Sequence, residues 1–180
     1  MIAGILTPGA GYGPQAPLFD LASEALADRN AAVEIITWTV PEGLLEIGPE
    51  PFVQAHVGAA LHRLSKTAPT ATPILIAKSL GTYAAALAAE RELPAIWLTP
   101  LLHITPIAEA IIRNPAPALL VGGTGDKKSW LPDVAEATGK TLVTVEGGDH
   151  GLRPPGPLKA YADALGNVGT AMEAFLSEIA

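Results

Sequence analysis

The stretch Ile74-Leu-Ile-Ala-Lys-Ser79-Leu-Gly-Thr82 decides the fold of this chain. An apolar run, residues 74 to 77, leads into a serine and then into an alanine-rich segment, residues 84 to 90. This order predicts a buried strand, a sharp turn at Ser79 and a helix. Such a turn lifts the serine hydroxyl clear of the sheet, and the free N–H groups of the helix start lie beside it.

The neighbours of Ser79 match the G-x-S-x-G pattern of a nucleophile elbow, with alanine in the first place. The pattern needs small residues two before and two after the serine, because the strand and helix backbones nearly touch there. Ala77 and Gly81 stand at these positions. The pentapeptide alone is also typical of strand–serine–helix turns that have no catalytic part, so the rest of the chain has to decide between the two interpretations.

Composition narrows the class of protein. With 180 residues, of which 49% are hydrophobic and 16% charged, the sequence predicts one folded domain over residues 1–180. The net charge is −7 and the eleven Lys and Arg residues are scattered, so we expect neither nucleic acid nor a membrane surface as a partner. The absence of cysteine excludes disulfides, thiolate metal sites and cysteine nucleophiles. The first residues are expected to form a strand and not a leader. Together, the composition and this start of the sequence predict a cytoplasmic protein.

Predicted strands and helices alternate along the whole sequence. The strands are expected at 2–7, 33–40, 74–77, 95–98, 118–121 and 141–145. Helical periodicity occupies 18–28, 52–64, 80–91, 104–113, 131–138 and 158–179. Apolar strands that are each followed by a helix indicate an α/β fold, with a parallel sheet covered on both faces. Ligands of such sheets bind at the carboxyl ends of the strands.

The glycine-rich loop after the first strand, Thr7-Pro-Gly-Ala-Gly-Tyr-Gly13, allows a backbone N–H to face a substrate anion. It differs from a dinucleotide-binding loop, because the third glycine of G-x-G-x-x-G would fall on Pro14. Trp38-Thr39-Val40 also stands where an acidic residue for the ribose would be expected. The full G-x-x-x-x-G-K-[ST] motif of a P-loop is also absent, which excludes a P-loop. An ordinary tight loop remains an alternative.

Three further strand ends carry Ser79, Asp126 and His150, in that order along the chain. Asp126 alone could be a helix cap or an Asx turn, whereas a histidine within a glycine-rich turn does not belong to a core. Acyl transfer needs these three residue types, namely a hydroxyl, an imidazole base and an acid that orients the imidazole. Their joint placement after the third, fifth and sixth strands favours a serine hydrolase.

On these motifs the chain resembles the α/β-hydrolase superfamily, and in particular its small, lidless intracellular members. The resemblance covers essentially the whole sequence. It implies that Ser79 is the nucleophile, His150 the general base and acid, and Asp126 its orienting partner. It also implies an oxyanion hole formed by the backbone N–H groups of Leu80 and Ala10. Such an enzyme needs no cofactor and no metal.

The sequence departs from the family pattern in three places. Pro8-Gly9 replaces the common His-Gly before the oxyanion residue, so the choice between Ala10 and Gly11 stays open. The usual first two strands are absent, which implies a three-layer sandwich with a six-stranded, mainly parallel sheet in the order 2-1-3-4-5-6. Residues 99 to 116 leave room for only one helix where a lid is usual.

The resemblance implies a serine hydrolase that cleaves a small ester or thioester through an acyl-enzyme, since an open site suits small or exposed acyl groups. Acyl transfer or C–C cleavage by the same residues is a further use of such a site. The alternative from another class is a binding or scaffold protein that keeps the fold with little or no turnover. Leu44, Leu45 and Ile47, in a loop after the second strand, could contact an acyl group, contact a partner protein or fold onto the body.

Several residues after the strands are expected to border the site, and Asp149 is a rival of Asp126 for His150. Because adjacent side chains rarely form a productive pair, Asp126 is favoured, and Asp149 with His150 lacks the further ligands that a metal requires. Lys78 is interpreted as a solvent-facing or salt-bridged lysine, and His103 as a polar rim residue without a catalytic part. The candidate pocket residues are Gly11, Tyr12, Trp38, His103 and Trp130.

Overall fold

The computed structural model describes all 180 residues and is built around one six-stranded sheet. Every pairing is parallel and the strand order is β2-β1-β3-β4-β5-β6, which confirms the predicted order. The order reverses beside β1, so the carboxyl ends of β1 and β3 define the crevice where ligands of such sheets bind. The strands are β1 (Ile2–Thr7), β2 (Ala32–Ile35), β3 (Thr72–Lys78), β4 (Ala95–Leu98), β5 (Ala118–Gly123) and β6 (Thr141–Val145).

Helices cover both faces of the sheet, which confirms the three-layer α/β sandwich. The helices are α1 (Pro17–Ala27), α2 (Leu44–Ile47), α3 (Glu50–Thr67), α4 (Ala85–Glu90), α5 (Thr105–Arg113), α6 (Pro132–Ala137) and α7 (Leu158–Ile179). Alternate β3 residues serve the two cores: Ile74 and Ile76 pack with α1 and α7, whereas Leu75 and Ala77 pack with α3, α4 and α5. None of the helices has both the length and the apolar composition that crossing a bilayer requires.

The second strand is shorter than predicted, because β2 ends at Ile35 and not at Val40. Its last ladder contact is the Ile36 N–H, which donates to the Leu6 carbonyl at 3.0 Å. Beyond it the chain leaves the sheet, and the Trp38 ring lies 5.4 Å from that of Phe52 on α3. β2 is an edge strand with one neighbour, so packing against α3 outweighs the β-propensity of residues 37 to 40.

The loop predicted at residues 44 to 47 forms α2, a single helical turn. Gly43 and Gly48 flank it with φ of 75° and 104°, values that favour glycine. Leu44 points into the body and is buried, whereas Leu45 and Ile47 are 64% and 82% exposed. Two of the three apolar side chains of this segment are therefore largely exposed.

Candidate active site

Ser79 lies at a strained corner between β3 and a 3-10 helix (Ser79–Ala84) that continues into α4. Its φ is 49°, in the left-handed region that non-glycine residues seldom adopt. Gly81 is needed for the close approach that the motif implies, since a Cβ there would lie 2.6 Å from the Thr7 carbonyl oxygen. Strain of this kind persists only where the surroundings enforce it, and it is concentrated at functional sites.

The structure brings Ser79, His150 and Asp126 together in one hydrogen-bonded chain. The Ser79 Oγ lies 2.8 Å from the His150 Nε2, and the His150 Nδ1 lies 2.5 Å from the Asp126 Oδ2. Since a carboxylate can only accept, Nδ1 carries the proton and Nε2 is left to accept the serine O–H. The other Asp126 oxygen accepts the Ser129 N–H at 3.1 Å, which fixes the orientation of the buried carboxyl group.

Close contact between two glycine turns explains how residues from β5 and β6 meet. A Cβ on Gly123 would lie 2.1 Å from the Gly148 carbonyl oxygen. The Gly125 N–H donates to the same oxygen at 2.9 Å. Because these backbones touch, the turn that carries Asp126 lies directly against the turn that carries His150.

Asp149 serves its own turn and does not pair with His150. Its Oδ1 accepts the N–H groups of Gly151, at 2.7 Å, and of Arg153, at 3.0 Å. The carboxylate thus closes an Asx turn around the histidine. The imidazole contacts Asp126, the partner that the sequence favoured.

The loop after β1 runs beside the serine. The Gly9 N–H donates to the Tyr12 carbonyl at 3.1 Å, which closes a tight turn and leaves the Ala10 N–H without an acceptor in the protein. The Leu80 N–H is at the start of the 3-10 helix, where N–H groups have no intrahelical acceptor. Ala10 and Leu80 both border the cavity beside Ser79.

A cavity of about 480 Å³ opens above the Ser79 hydroxyl. Its apolar lining includes Leu45 of α2 and, from the segment after β4, Leu101 and Ile104. Tyr83, one turn beyond the serine, contributes to the apolar part. Besides the residues of the hydrogen-bonded chain, the polar lining is His103, Lys128 and Ser129. This volume and mostly apolar lining are typical of small-molecule sites.

His103 is the one predicted pocket residue that lines this cavity. Its Nδ1 is buried without a hydrogen-bond partner. Burial lowers the pKa of His103, the neighbouring Lys128 and His150 lower it further, and Asp126 acts in the opposite direction. His103 is therefore a neutral imidazole at neutral pH.

Gly11 and Tyr12 do not line the cavity. Gly11 is exposed at the tip of the loop after β1. The Tyr12 hydroxyl turns the other way and accepts the Leu18 N–H at the start of α1, at 3.0 Å. Burial of the Tyr12 side chain raises the pKa of its phenol to about 12. Through its hydrogen bond to Leu18, this residue anchors the loop to α1.

Trp38 and Trp130 also lie outside the cavity and support the loops around it. The Trp38 Nε1 donates to the Gly9 carbonyl at 3.2 Å, which holds the loop after β1 from outside. Trp130 is 3% exposed and covers Gly122, where an added Cβ would meet the indole ring. Both side chains follow strand ends, as predicted, but they point away from the crevice.

Sequence reasoning missed Tyr83, Leu101, Ile104, Lys128 and Ser129 as cavity residues. The spacing of four between Ser79 and Tyr83, one helical turn, could have indicated a shared face. Leu101 and Ile104 follow β4 directly, where the strand-end rule applies. The contribution of Leu45 depends on where α2 lies relative to the sheet, and no local sequence pattern predicts that position.

Lys78 is neither solvent-facing nor salt-bridged, so that interpretation is wrong. It is 2% exposed, and its Nζ donates to the Thr99 Oγ1 at 2.9 Å and to the His150 carbonyl at 2.8 Å. Burial lowers the pKa of Lys78 to about 8, although the charges of Asp126 and Asp149 act to raise it. Helices cover both faces of the sheet. The Lys78 side chain points away from Ser79 and is therefore buried under the helices, not exposed to solvent.

The chain is similar to known proteins in its three-dimensional structure. No protein-family model matches the sequence, and no curated protein matches it. Among solved structures the chain is similar to XC6422 from Xanthomonas campestris, an α/β serine hydrolase without a lid. The TM-score is 0.73 and the identity 17%, over 98% of this chain and 81% of that one.

Two further solved structures are similar over nearly the whole chain. Est1E from Butyrivibrio proteoclasticus, in a structure with bound ferulic acid, has a TM-score of 0.74 at 16% identity, over 99% of this chain and 89% of that one. Dienelactone hydrolase from Anabaena variabilis has a TM-score of 0.69 at 16% identity, over 99% and 86%. The chain therefore has the α/β-hydrolase fold, and α5 is the single helix between β4 and β5.

Proposed function

We propose that this protein is a serine hydrolase that cleaves a small ester or thioester through an acyl-enzyme. The observation that carries the proposal is the unbroken chain of hydrogen bonds from the Ser79 hydroxyl through His150 to Asp126. The strained φ of the serine and the apolar cavity above it support the same chemistry. XC6422 and dienelactone hydrolase, which share the fold, carry the names of hydrolases.

In the first half of the reaction, Ser79 attacks the substrate carbonyl carbon. As the Oγ–C bond forms, the hydroxyl proton passes to the His150 Nε2, and Asp126 stabilises the resulting imidazolium through Nδ1–H. The N–H groups of Leu80 and Ala10 are the proposed donors to the oxyanion. Such donors are worth about 3 to 4 kcal/mol each in comparable sites.

The tetrahedral intermediate then collapses. The carbon–oxygen or carbon–sulfur bond to the leaving group breaks, and the alcohol or thiol takes the proton from the His150 Nε2. In the second half, the imidazole takes a proton from water as the water oxygen attacks the Ser79 ester. Collapse of the second intermediate releases the carboxylic acid and returns the proton to the serine.

The cavity supports the small-substrate part of the proposal. Its apolar lining, which includes Leu45, Leu101 and Ile104, suits a hydrocarbon acyl group. A single helix, α5, follows β4, and no inserted domain encloses the serine. We therefore expect short acyl chains to gain binding energy here, whereas longer chains extend into water.

Covalent labelling with a fluorophosphonate tests the proposal. We expect the folded native protein to be labelled at Ser79, and a Ser79→Ala variant with the same melting temperature to stay unlabelled. Peptide mapping by mass spectrometry identifies the modified residue. A native, folded protein that resists labelling would contradict the hydrolase function and favour a binding or scaffold protein with this fold.

A series of p-nitrophenyl esters tests the substrate class. We expect kcat/KM to be highest for short acyl groups and to stop rising at roughly eight carbons, since a cavity of this size holds only a small ligand. The matching thioesters, followed with a thiol reagent, separate the two leaving groups. A kcat/KM that keeps rising with longer chains would show that another surface holds the acyl group.

A further inference from the structure

We propose that Lys78 is a positioning residue that ties the main chain of His150 to the end of β3 and thereby sets the imidazole on Ser79. This inference rests on the proposed function, because it assigns His150 a geometry that acyl transfer requires. Lys78 is itself too deeply buried to touch a substrate, since it is 2% exposed. Its effect has to pass through the residues that its ammonium holds.

The ammonium joins loops from three different strands. Its Nζ donates to the His150 carbonyl, after β6, at 2.8 Å and to the Thr99 Oγ1, after β4, at 2.9 Å. It also lies 4.6 Å from the centre of the Tyr12 ring, in the loop after β1, within cation–π distance. One side chain on β3 therefore connects the strand that presents Ser79 with the turn that presents its base.

A purely structural role explains this lysine poorly. A buried ammonium loses its hydration, and replacing buried charged groups by well-packed apolar residues is often neutral or stabilising. No carboxylate forms an ion pair with Lys78 to offset that loss. One of the two hydrogen bonds that it gains is to the backbone of His150 itself, so part of the benefit lies at the site.

We call the hydrogen bond from the Lys78 Nζ to the His150 carbonyl the tether. The charge on Lys78 strengthens it, because a charge-assisted hydrogen bond is roughly twice as strong as a neutral one. The charged and titratable groups around it are Asp126 in the turn after β5, Asp149 and His150 in the turn after β6, and Tyr12 after β1. Burial outweighs the two carboxylates and lowers the pKa of Lys78 to about 8. We therefore expect the tether to weaken as the pH rises through 8.

The experiment compares Lys78→Met with a matched control, Lys140→Met. Like Lys78, Lys140 donates two hydrogen bonds from its Nζ, in this case to the backbone carbonyls of Asn114 and Ala116, and burial lowers its pKa too. It does not line the cavity. A Thr99→Val variant removes one acceptor of Lys78 and leaves its bond to His150 in place.

The first readout is the rate of fluorophosphonate labelling from pH 6 to pH 10, corrected for the folded fraction. Lys78→Met should label more slowly at pH 7 by one to two orders of magnitude, about the loss that a small misplacement of a catalytic group causes. The native rate should decline above about pH 8, and Lys78→Met should lack that decline. Lys140→Met should keep the native rate, and Thr99→Val should lie between the two and keep the decline.

The second readout does not require activity. The amides of Asp149 and Leu152 are hydrogen-bonded within the turn that carries His150, and their hydrogen exchange reports how firmly the turn is held. We expect exchange there to be at least about tenfold faster in Lys78→Met than in Lys140→Met.

Unchanged exchange in Lys78→Met, or a native labelling rate and pH profile, would overturn the inference. If the native protein is not labelled at all, the proposed function fails and the exchange result alone decides whether the tether exists. If the native protein is labelled and Lys78→Met is labelled equally well, the proposed function stands and the role of Lys78 is refuted. The two failures are thus separable.

Discussion

The buried ammonium of Lys78 should make the stability of this protein rise with pH in the alkaline range. The folded protein holds this group with a pKa of about 8, lowered by burial from its ordinary value of 10.5. Between these two values the unfolded chain binds more protons than the folded chain. The free energy of unfolding therefore increases with pH there, and this gain is lost as the pH falls through 8.

The size of the effect follows from the two pKa values. With about 8 in the folded state and 10.5 in the unfolded state, linkage gives a gain of roughly 2 to 3 kcal/mol between pH 7 and pH 10. Above pH 10 an opposing contribution begins, because burial raises the pKa of Tyr12 to about 12 and the folded chain keeps that proton. The measurement therefore belongs at pH 7 to 10.

The assay is urea denaturation of the native protein and of Lys78→Met at pH 7, 8, 9 and 10. We expect the difference between the two unfolding free energies to grow with pH by the amount given, since all other groups are shared. Lys159→Met serves as a control, because Lys159 is exposed and pairs only with Asp163 on α7. A difference that stays constant, within the error of the extrapolation, would refute the reasoning that burial controls this lysine.

Two further substitutions test the geometry of the site. Asp126→Asn should lower kcat by on the order of 10⁴-fold with little change in melting temperature, because an amide favours the wrong His150 tautomer; a loss under tenfold in steady-state kinetics would contradict this. Gly81→Ala should destabilise the protein by roughly 1 to 3 kcal/mol in urea denaturation, since the new Cβ would lie 2.6 Å from the Thr7 carbonyl oxygen. Gly166→Ala on α7, where a Cβ meets nothing, should instead be neutral or stabilising; equal effects of the two would refute the packing argument.

The parts of the fold that could be predicted are those that local patterns control. The apolar runs of β4 (Ala95–Leu98) and β6 (Thr141–Val145) and the spacing of α7 (Leu158–Ile179) gave the observed boundaries. The end of β2 could not be predicted in this way. Residues 36 to 40 have β-propensity, but Trp38 finds its partners on α3 and in the loop after β1, and both are distant in sequence.

The strand-end rule located the site but did not give the direction of side chains. Asp126 and His150 meet because the glycine turns that carry them are in direct backbone contact. Ser79 joins them because Gly81 lets the corner after β3 lie against the end of β1. Trp38 and Trp130 follow strands as well, yet each turns toward a core. The direction depends on which partner offers a hydrogen bond or an apolar surface, and those partners come from remote parts of the chain.

Lys78 illustrates why the elbow keeps its strained shape. On one side of Ser79, Gly81 lies against the Thr7 backbone so closely that no side chain fits. On the other side, the ammonium of Lys78 is held by the His150 carbonyl and Thr99. A positive φ at a non-glycine residue persists only when its neighbours are fixed independently, and here both flanks are. The contacts that fix Lys78 also reach the histidine, so the strain at the serine and the position of its proposed base depend on the same buried group.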